Sequence, residues 1–274
     1  MTHAAALPVL PAPHAKALQL LEDSDAEVAD LAETVSADPA LTTAVLRAAN
    51  SAASAPVDRV IEADQAIMRI GFNATRRLVA GTVVGTTFKD VREAGINTEQ
   101  LWDHLIACAI LTDQALRRNQ TISGGFAAGM LHDLGRMAMA QAEPELYRTV
   151  VSRVSEGADA RSIEIDVFGY DHQEYGQRIA EAWQLPDAII EAVGDHHEGS
   201  RSDLSRAVRD SRWLALRVGI GDGLCDAEMF PESALELRRE EKTLLSDIGG
   251  EEALHNRVEW FRHAVSGADA AAAA

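Results

Sequence analysis

Apolar residues recur about every three to four positions along most of this chain, the spacing that gathers them on one face of an α-helix. Breaks containing glycine, proline, asparagine or aspartate divide the apolar segments into short units. No segment shows the sustained alternation of polar and apolar residues that a half-buried strand requires. The pattern therefore predicts an all-α protein.

Helix-start and helix-stop residues in the first part of the chain predict a series of short helices. A capping box at Ser24 to Glu27 opens one helix, and Asp38, followed by proline at the first helical position, opens the next. A third helix covers Ile61 to Ile70 and stops at Gly71, and Asn73 caps a fourth. These signals predict a first lobe of closely connected helices.

The rest of the chain predicts a second helical series. Thr98 caps a long helix, Asp171 caps a later one, and Pro186 stops that helix and starts another. Helical spacing also covers residues 124–141, 147–156, 189–199, 204–218, 232–245 and 251–265.

One apolar segment, Gly124 to Gln141, carries the adjacent pair His132 and Asp133 and fits one continuous helix. Gly129 and Gly135 each weaken a helix by roughly 1 kcal/mol relative to alanine. Their presence suggests that another helix, or an ion, approaches the backbone closely. A His-Asp dipeptide is ordinarily a surface or capping pair. Apolar neighbours surround this one, and a buried aspartate needs a cation or several donors.

Five of the nine histidines fall on the apolar faces of predicted helices. One such histidine is most often a hydrogen-bonded core residue, but five of them with an aspartate are hard to satisfy unless they converge. Imidazole and carboxylate groups from separate helices can hold iron, manganese or zinc inside a helical bundle. The pattern therefore predicts a divalent-metal site formed by His104, His132, Asp133, His172, His196 and His197.

The composition is that of an ordinary globular protein, but the net charge of the chain limits the kinds of partner it can bind. Of the 274 residues, 47% are hydrophobic and 25% charged, and the formal net charge at pH 7 is −18. Nucleic-acid phosphates and anionic membranes repel such a protein unless a basic patch is concentrated locally. Nucleic-acid binding rests on a few arginines of the first lobe, which are more simply a solvated face: Arg47, Arg59, Arg69, Arg76 and Arg77.

Targeting signals and cysteine content favour the cytoplasm. The amino terminus has no basic region, prolines interrupt it, and no apolar run is long enough to cross a bilayer. The two cysteines, Cys108 and Cys225, are too few for a disulfide framework. Cys108 lies in an apolar helical run, where a buried and reduced thiol is expected. We therefore expect a cytoplasmic protein without a membrane partner.

The order and spacing of the histidines resemble the HD superfamily of metal-dependent phosphohydrolases, over residues 11–219. Three segments narrow the resemblance to the HDOD family: ADPALTTAVLRAANSAAS, the helix ending in MRIG, and FGYDHQEYGQRIAEAWQLPDAIIEAV. The resemblance implies an all-helical fold in which an amino-terminal bundle packs on an HD-type lobe. It also implies a bacterial signalling or regulatory role, mostly without demonstrated catalysis.

Together with this resemblance, the helical pattern divides the chain into five parts. The charged, glycine-containing segment Lys89 to Asn97 is expected to link two helical lobes. The tail is of low complexity and is expected to be disordered. The parts are a flexible amino terminus (1–13), a helical lobe (14–97), an HD-like lobe with a degenerate metal site (98–220), closing helices (221–266) and the tail (267–274).

The last metal ligand of the resembling superfamily is missing here. Active HD phosphohydrolases close the site with an aspartate on a later helix, where HDOD-like sequences often read close to LADWLA followed by glycine. The matching segment reads VRDSRWLALRVG, which puts Arg212 at the aspartate position. Asp210 faces another side of the helix. A guanidinium there would pair with Asp133 or bind an anion such as phosphate.

Two functions remain after these observations. The first is a non-catalytic signalling module without catalytic residues, which acts through protein partners or through a nucleotide or phosphate ligand at the HD-derived site. A divalent iron, manganese or zinc ion is its only expected cofactor. The alternative is an active metal-dependent phosphohydrolase or cyclic-dinucleotide phosphodiesterase. The histidine and aspartate positions favour the alternative, and the missing aspartate disfavours it, because such an enzyme needs a firmly held ion to activate water.

Overall fold

The computed structural model describes residues 7–21, 23, 25–51, 59–117, 124–197, 200–225, 232–234 and 236–266. The regular elements in these ranges are helices and none is a strand, which confirms the all-α class. The tail 267–274, residues 1–6 of the expected flexible terminus and the predicted cap Ser24 lie outside the described residues. The chain forms a larger compact unit (Met1–Pro8 and Phe88–Glu259) and a smaller one (Val9–Thr87 and Trp260–Ala274).

Short helices of the first part of the chain make up most of the smaller unit. They pack around buried aliphatic side chains such as Val35, Leu41, Val45 and Leu78. The described helices there are α1 (Ala12–Gln19), α2 (Val28–Ser36), α3 (Pro39–Ala49), α4 (Ala63–Ile70) and α5 (Phe72–Thr87).

Two predicted helix boundaries of this unit are confirmed. The Asp38 side chain accepts the backbone N–H groups of Ala40 at 2.8 Å and Leu41 at 3.0 Å, and so caps α3. Gly71 ends α4 with a φ of 94°, a conformation that favours glycine.

Two other predicted helix starts are wrong by a few residues. The helix expected to open at the Ser24–Glu27 box begins at Val28, where the Asp30 side chain accepts the Glu27 N–H at 2.9 Å. The helix expected to start from an Asn73 cap begins at Phe72. It begins earlier because the carbonyl group of Gly71 accepts the Thr75 N–H at 3.0 Å, so the residue that ends α4 also starts α5.

The larger unit is built around α6, which packs against α7 and α13. Asp171 caps α11, as predicted. The predicted Thr98 cap of α6 is off by one residue: α6 begins at Thr98 itself, because the Asn97 side chain takes the cap position and accepts the Gln100 N–H at 3.2 Å. Short 3₁₀ turns occur at Val91–Ala94 and Glu232–Ala234. The helices are α6 (Thr98–Arg117), α7 (Gly125–Leu131), α8 (Leu134–Ala142), α9 (Pro144–Ser155), α10 (Ala160–Phe168), α11 (His172–Ala182), α12 (Asp187–Gly194), α13 (Asp203–Arg217), α14 (Arg239–Ile248) and α15 (Glu251–Ser266), the last of which ends in the smaller unit.

Two glycines let helices of this unit approach each other at backbone distance. A Cβ atom on Gly129 of α7 would lie 2.6 Å from the carbonyl oxygen of Cys108 on α6. One on Gly135 of α8 would lie 1.9 Å from the carbonyl oxygen of His172 on α11. Only glycine fits at either position, which explains why these helix-weakening residues occur in the segment.

The structure corrects the expected helix at 124–141 and the expected end of the helix at 189–199. A turn at His132 and Asp133 separates α7 from α8, and α12 stops at Gly194, before His196. Helical periodicity continues across both places, so the apolar pattern alone did not reveal these helix ends. Both ends lie beside residues of the predicted site.

Among the described helices, none combines the length and the hydropathy needed to cross a lipid bilayer.

Candidate functional site

The side chains predicted to bind a metal come from four places in the larger unit and lie close together. Five of them have a relative exposure of 0%, and His197 is partly buried. The set consists of His104 from the middle of α6, His132 and Asp133 from the turn between α7 and α8, His172 from the start of α11, and His196 and His197 from the segment after α12.

Asp133 lies at the centre of this histidine–aspartate cluster. Its Oδ1 is 3.5 Å from Nε2 of His172 and 3.6 Å from Nε2 of His196. Its Oδ2 is 3.4 Å from Nε2 of His132 and 2.9 Å from Nη1 of Arg136. Burial alone would raise the pKa of the Asp133 carboxyl group, but Arg136 and then His132 hold it well below its ordinary value. Asp133 is therefore an anion.

His132 and His196 are fixed in the same way, each by the end of the helix before it. The Nδ1–H of His132 donates to the carbonyl oxygen of Gly129 at 2.7 Å, and that of His196 donates to the carbonyl oxygen of Val193 at 2.8 Å. These carbonyl groups belong to the last turns of α7 and α12, where backbone acceptors lack helical partners. Because a carbonyl oxygen only accepts, Nδ1 of each ring carries a hydrogen, and Nε2 of each ring faces Asp133.

The cluster thus contains buried polar atoms that lack hydrogen-bond partners. Nε2 of His132, Nε2 of His196 and both oxygens of Asp133 make no hydrogen bond, although Asp133 is ion-paired with Arg136. Burial is the largest influence on His196 and lowers its pKa well below the ordinary value, so the ring is neutral. A divalent cation among these atoms would bind them as ligands. The residues fit a metal ion, and His132, Asp133 and His196 would hold it.

His172 is held by a buried carboxylate. Its Nδ1–H donates to Oε2 of Glu164 at 2.6 Å, and its backbone N–H donates to the same oxygen at 2.9 Å. The hydroxyl group of Tyr147 donates to Oε1 of Glu164 at 2.7 Å. Burial would raise the pKa of Glu164, but its interactions with His172 lower it below the ordinary value of 4.5. Glu164 is therefore ionised and fixes the orientation of the His172 ring.

His197 connects His172 to Arg212. The Nε2 atoms of His172 and His197 are 2.9 Å apart. A guanidinium only donates, so Nδ1 of His197 accepts from Nη1 of Arg212 at 3.4 Å. The hydrogen of the neutral His197 ring is therefore on Nε2, which donates to Nε2 of His172. Burial and then Arg212 hold the pKa of His197 far below its ordinary value. This Arg212–His197–His172–Glu164 chain occupies the nitrogen atoms with which His172 and His197 would bind a metal.

Arg212 is 8% exposed and has no acidic partner among the described residues. Its Nε makes no hydrogen bond. The expected alternative in which Arg212 pairs with Asp133 does not occur, because Arg136, three residues after Asp133, takes that place. Arg136 Nη1 also lies 3.1 Å from Oδ2 of Asp222.

A cavity of about 550 Å³ opens beside Arg212. Its lining includes three arginines, and two of them already have carboxylate partners: Arg136 pairs with Asp133 and Asp222, and Arg161 lies 2.6 Å from Asp171. Arg212 is the third. Within the described residues, it is the guanidinium of this cavity that lacks an anionic partner.

His104 is placed on α6 one helical turn before Cys108. Its Nε2 lies 3.5 Å from the Cys108 sulfur, and its ring centroid is 5.4 Å from that of His132. Burial is the largest of the influences that lower its pKa to about 3, so the ring is neutral. Its Nδ1 has no hydrogen-bond partner.

Sequence reasoning missed Arg136, Glu164 and Asp222. Arg136 had the same signal as Asp133, a charge within an apolar helical segment, and could have been found by it. Glu164 lies between Ile163 and Ile165, and Asp222 lies between Gly221 and Gly223, but neither acid belongs to a recognisable motif. Their roles depend on pairing between distant segments, with Tyr147 and His172 for Glu164 and with Arg136 for Asp222.

The sequence model of the HDOD domain family matches residues 7–199, well over half of the chain. Two crystal structures share the fold over 95% of this chain. One is an HDOD domain protein of unknown function from Geobacter sulfurreducens, at 20% identity and a TM-score of 0.70, with 93% of that chain covered. The other, named as a candidate phosphohydrolase from Shewanella amazonensis SB2B, is 22% identical with a TM-score of 0.69 and 95% of that chain covered.

A curated relative is an uncharacterized protein of Treponema pallidum (strain Nichols), 23% identical over 244 residues. The match covers 85% of this chain but 46% of that protein, so the chain spans about half the length of this relative.

Proposed function

This chain belongs to the HDOD domain family, and we propose that it is a non-catalytic regulatory module that binds a phosphate-bearing anion beside Arg212 and signals through protein partners. The observation that carries the proposal is the burial of Arg212 without an acidic partner in the described chain.

A buried guanidinium without an anion is costly. Burial strips the charge of water, and a single hydrogen bond of 3.4 Å to His197 is a weak replacement. Arginine presents a planar fork of donors that matches the oxygens of phosphate or carboxylate. The adjoining cavity of about 550 Å³ is within the size range of small-molecule sites. A phosphate group in this cavity would give Arg212 the partner it lacks.

The same residue disfavours turnover. A divalent ion, when bound, would activate a water molecule and neutralise phosphoryl oxygens. Arg212 stands where the resembling enzymes supply an aspartate, so it brings a positive charge to the metal-binding region. Two like charges about 4 Å apart repel by roughly 4 kcal/mol at an effective dielectric constant near 20. Arg212 also directs the hydrogen of His197 toward His172, which withdraws both rings from metal binding.

A metal-dependent phosphohydrolase is the second candidate. The Nε2 atoms of His132 and His196, which make no hydrogen bond beside Asp133, favour it. It predicts hydrolysis of a phosphodiester when manganese is added. The regulatory proposal predicts binding without hydrolysis.

Isothermal titration with inorganic phosphate, pyrophosphate and a cyclic dinucleotide tests the proposal. We expect at least one of these probes to bind the wild-type protein, and Arg212→Gln to weaken binding by about tenfold or more, equivalent to about 1.4 kcal/mol. Arg206→Gln is the matched control, because Arg206 is an exposed arginine on the same helix. Equal affinities in the two variants, or turnover of a bound probe by the wild-type protein, would contradict the proposal.

A further inference from the structure

A second group of potential metal ligands lies on the side of the cluster away from the His172–His197 hydrogen bond. His104 and Cys108 are one helical turn apart on α6, and His132 follows the end of α7. One ligand atom from each of the three lies within 4.8 Å of the other two, and all three side chains are buried. We propose that His104, Cys108 and His132 form a binding position for a thiophilic divalent cation such as Zn²⁺.

A hydrogen bond between Cys108 and His104 explains only part of this geometry. The distance of 3.5 Å from Sγ to Nε2 suits such a bond. It leaves Nδ1 of His104 and Nε2 of His132 without partners, although both rings are fully buried. Buried polar atoms normally have a partner. Nε2 of His132 is the independent sign that the group accommodates a ligand, since the ring of His104 faces Cys108 with its other nitrogen, Nε2.

The separation of the sulfur and nitrogen atoms also suits a shared metal. Zinc binds thiolate sulfur at about 2.3 Å and imidazole nitrogen at about 2.0–2.1 Å, so tetrahedral ligands of these types stand about 3.5 Å apart. Sγ of Cys108 and Nε2 of His104 have this separation. Little rearrangement of α6 is therefore needed for both to reach one ion.

Gly129 brings the third ligand within reach. A Cβ atom at this position would come within 2.6 Å of the Cys108 carbonyl oxygen, so only glycine allows α7 to lie this close to α6. The carbonyl group of Gly129 also holds the His132 ring through Nδ1 at 2.7 Å. One residue thus sets both the distance between the helices and the orientation of the His132 ring.

The ligand chemistry decides which ion occupies the position. A thiolate with two imidazoles favours zinc and similar soft ions, whereas carboxylate oxygens suit manganese or magnesium. Binding releases the thiol proton to solvent, and the resulting thiolate supplies an anionic ligand on α6. Nε2 of His132 coordinates only one ion, so the position at Cys108 competes with the one at Asp133 and His196. We expect a soft ion at the first and a hard ion at the second.

Cobalt titration of the full-length, chelator-treated protein tests this inference, because a cobalt–thiolate bond gives a charge-transfer absorption band. We expect the wild-type protein to develop this band and zinc to abolish it by displacing cobalt. Cys108→Ser should lose the band. Loss of a residue that only hydrogen-bonds to a metal ligand lowers metal affinity by roughly 10- to 100-fold, so loss of the ligand itself should lower the zinc affinity of this variant by at least that much. Its manganese affinity should be unchanged.

Cys225→Ser is the matched control, since Cys225 is the other cysteine of the chain, and it should keep the band. Cys108→Ala provides a second buried variant whose fold is checked by thermal unfolding. Absence of the band in the wild-type protein overturns the inference whatever the variants do, and so does a band that Cys225→Ser loses and Cys108→Ser keeps. Arg212→Gln should also keep the band, which separates this result from the fate of the anion-binding proposal.

Discussion

At the residue scale, Arg212 and Glu164 act on opposite ends of one hydrogen-bonded chain. Glu164 accepts a hydrogen bond from Nδ1–H of His172, and Arg212 donates one to Nδ1 of His197. The two rings then share the hydrogen between their Nε2 atoms, 2.9 Å apart. Neither ring has a free nitrogen left, whereas His132 and His196 keep theirs. Arg212 therefore influences both His197, which it contacts, and His172, which it does not.

Arg212→Asp should reverse this effect. The substitution removes the donor to His197, removes a positive charge and adds a negative one beside the cluster. Two like charges about 4 Å apart repel by on the order of 4 kcal/mol at an effective dielectric constant near 20. Because the substitution removes this repulsion, manganese affinity should rise by well over tenfold. Calorimetric titration of chelator-treated protein measures it. Arg206→Asp adds the same charge on the exposed face of α13 and should change the affinity little. An equal rise in both variants would show a general charge effect instead.

At the element scale, the site depends on where two helices stop. The rings of His132 and His196 bond to carbonyl groups in the last turns of α7 and α12, so both imidazoles serve as partners for helix ends. Sequence signals predicted the ends that rely on a local residue, such as the Asp171 cap and the stop at Gly71. The same signals missed the ends of α7 and α12. There the helix is ended by a histidine whose position depends on the surrounding site, and the local sequence does not show that position.

The close contact of α7 with α6 gives the second prediction at this scale. Gly129→Ala should destabilise the protein by about 1–3 kcal/mol, because the added methyl group meets the backbone of Cys108 at 2.6 Å. This cost exceeds the roughly 1 kcal/mol that alanine gains over glycine in a helix. Urea unfolding measures the difference.

Gly194→Ala is the matched control for this substitution. The three atoms nearest to its Cβ would all belong to the Gln177 side chain and none to the backbone. The amide oxygen, at 2.6 Å, is at the flexible end of that side chain and can move aside, and the Gln177 Cβ lies at 3.3 Å. We expect a change of less than about 1 kcal/mol there. If Gly129→Ala is neutral or stabilising, then the α6–α7 contact is looser than the structure shows, and His132 is not held beside Cys108 by it.

At the scale of the whole molecule, the all-α class and the family could be predicted from the sequence, because helical periodicity and motif spacing are local properties. The pairing of Arg136 with Asp222 could not, since it joins residues 86 positions apart. The protein is strongly acidic overall, yet the interior of its larger unit holds arginines and several histidines that stay neutral. The buried neutral histidines link the stability of the fold to pH.

The metal-free protein should lose stability as the pH falls below about 6.5, before its carboxylates titrate. The pKa of His104 is lowered from 6.5 to about 3, chiefly by burial, and burial also lowers the pKa of His196 and His197. Below pH 6.5 the unfolded chain binds protons at these positions and the folded chain does not, so the free energy of unfolding decreases toward acid. Each such histidine contributes about 1.4 kcal/mol per pH unit.

Urea unfolding in the presence of a chelator, between pH 7.5 and 5, measures this dependence. His104→Gln should reduce the slope of unfolding free energy against pH by about one proton, or about 1.4 kcal/mol per unit, because Gln binds no proton in the unfolded chain. His255→Gln is the matched control at an exposed position of α15, and we expect its slope to equal that of the wild-type protein. The loss must appear as the pH falls through the ordinary histidine range and must be absent above it. A slope that His104→Gln does not change would mean that His104 is protonated in the folded protein, and its ring would then be no ligand for a cation.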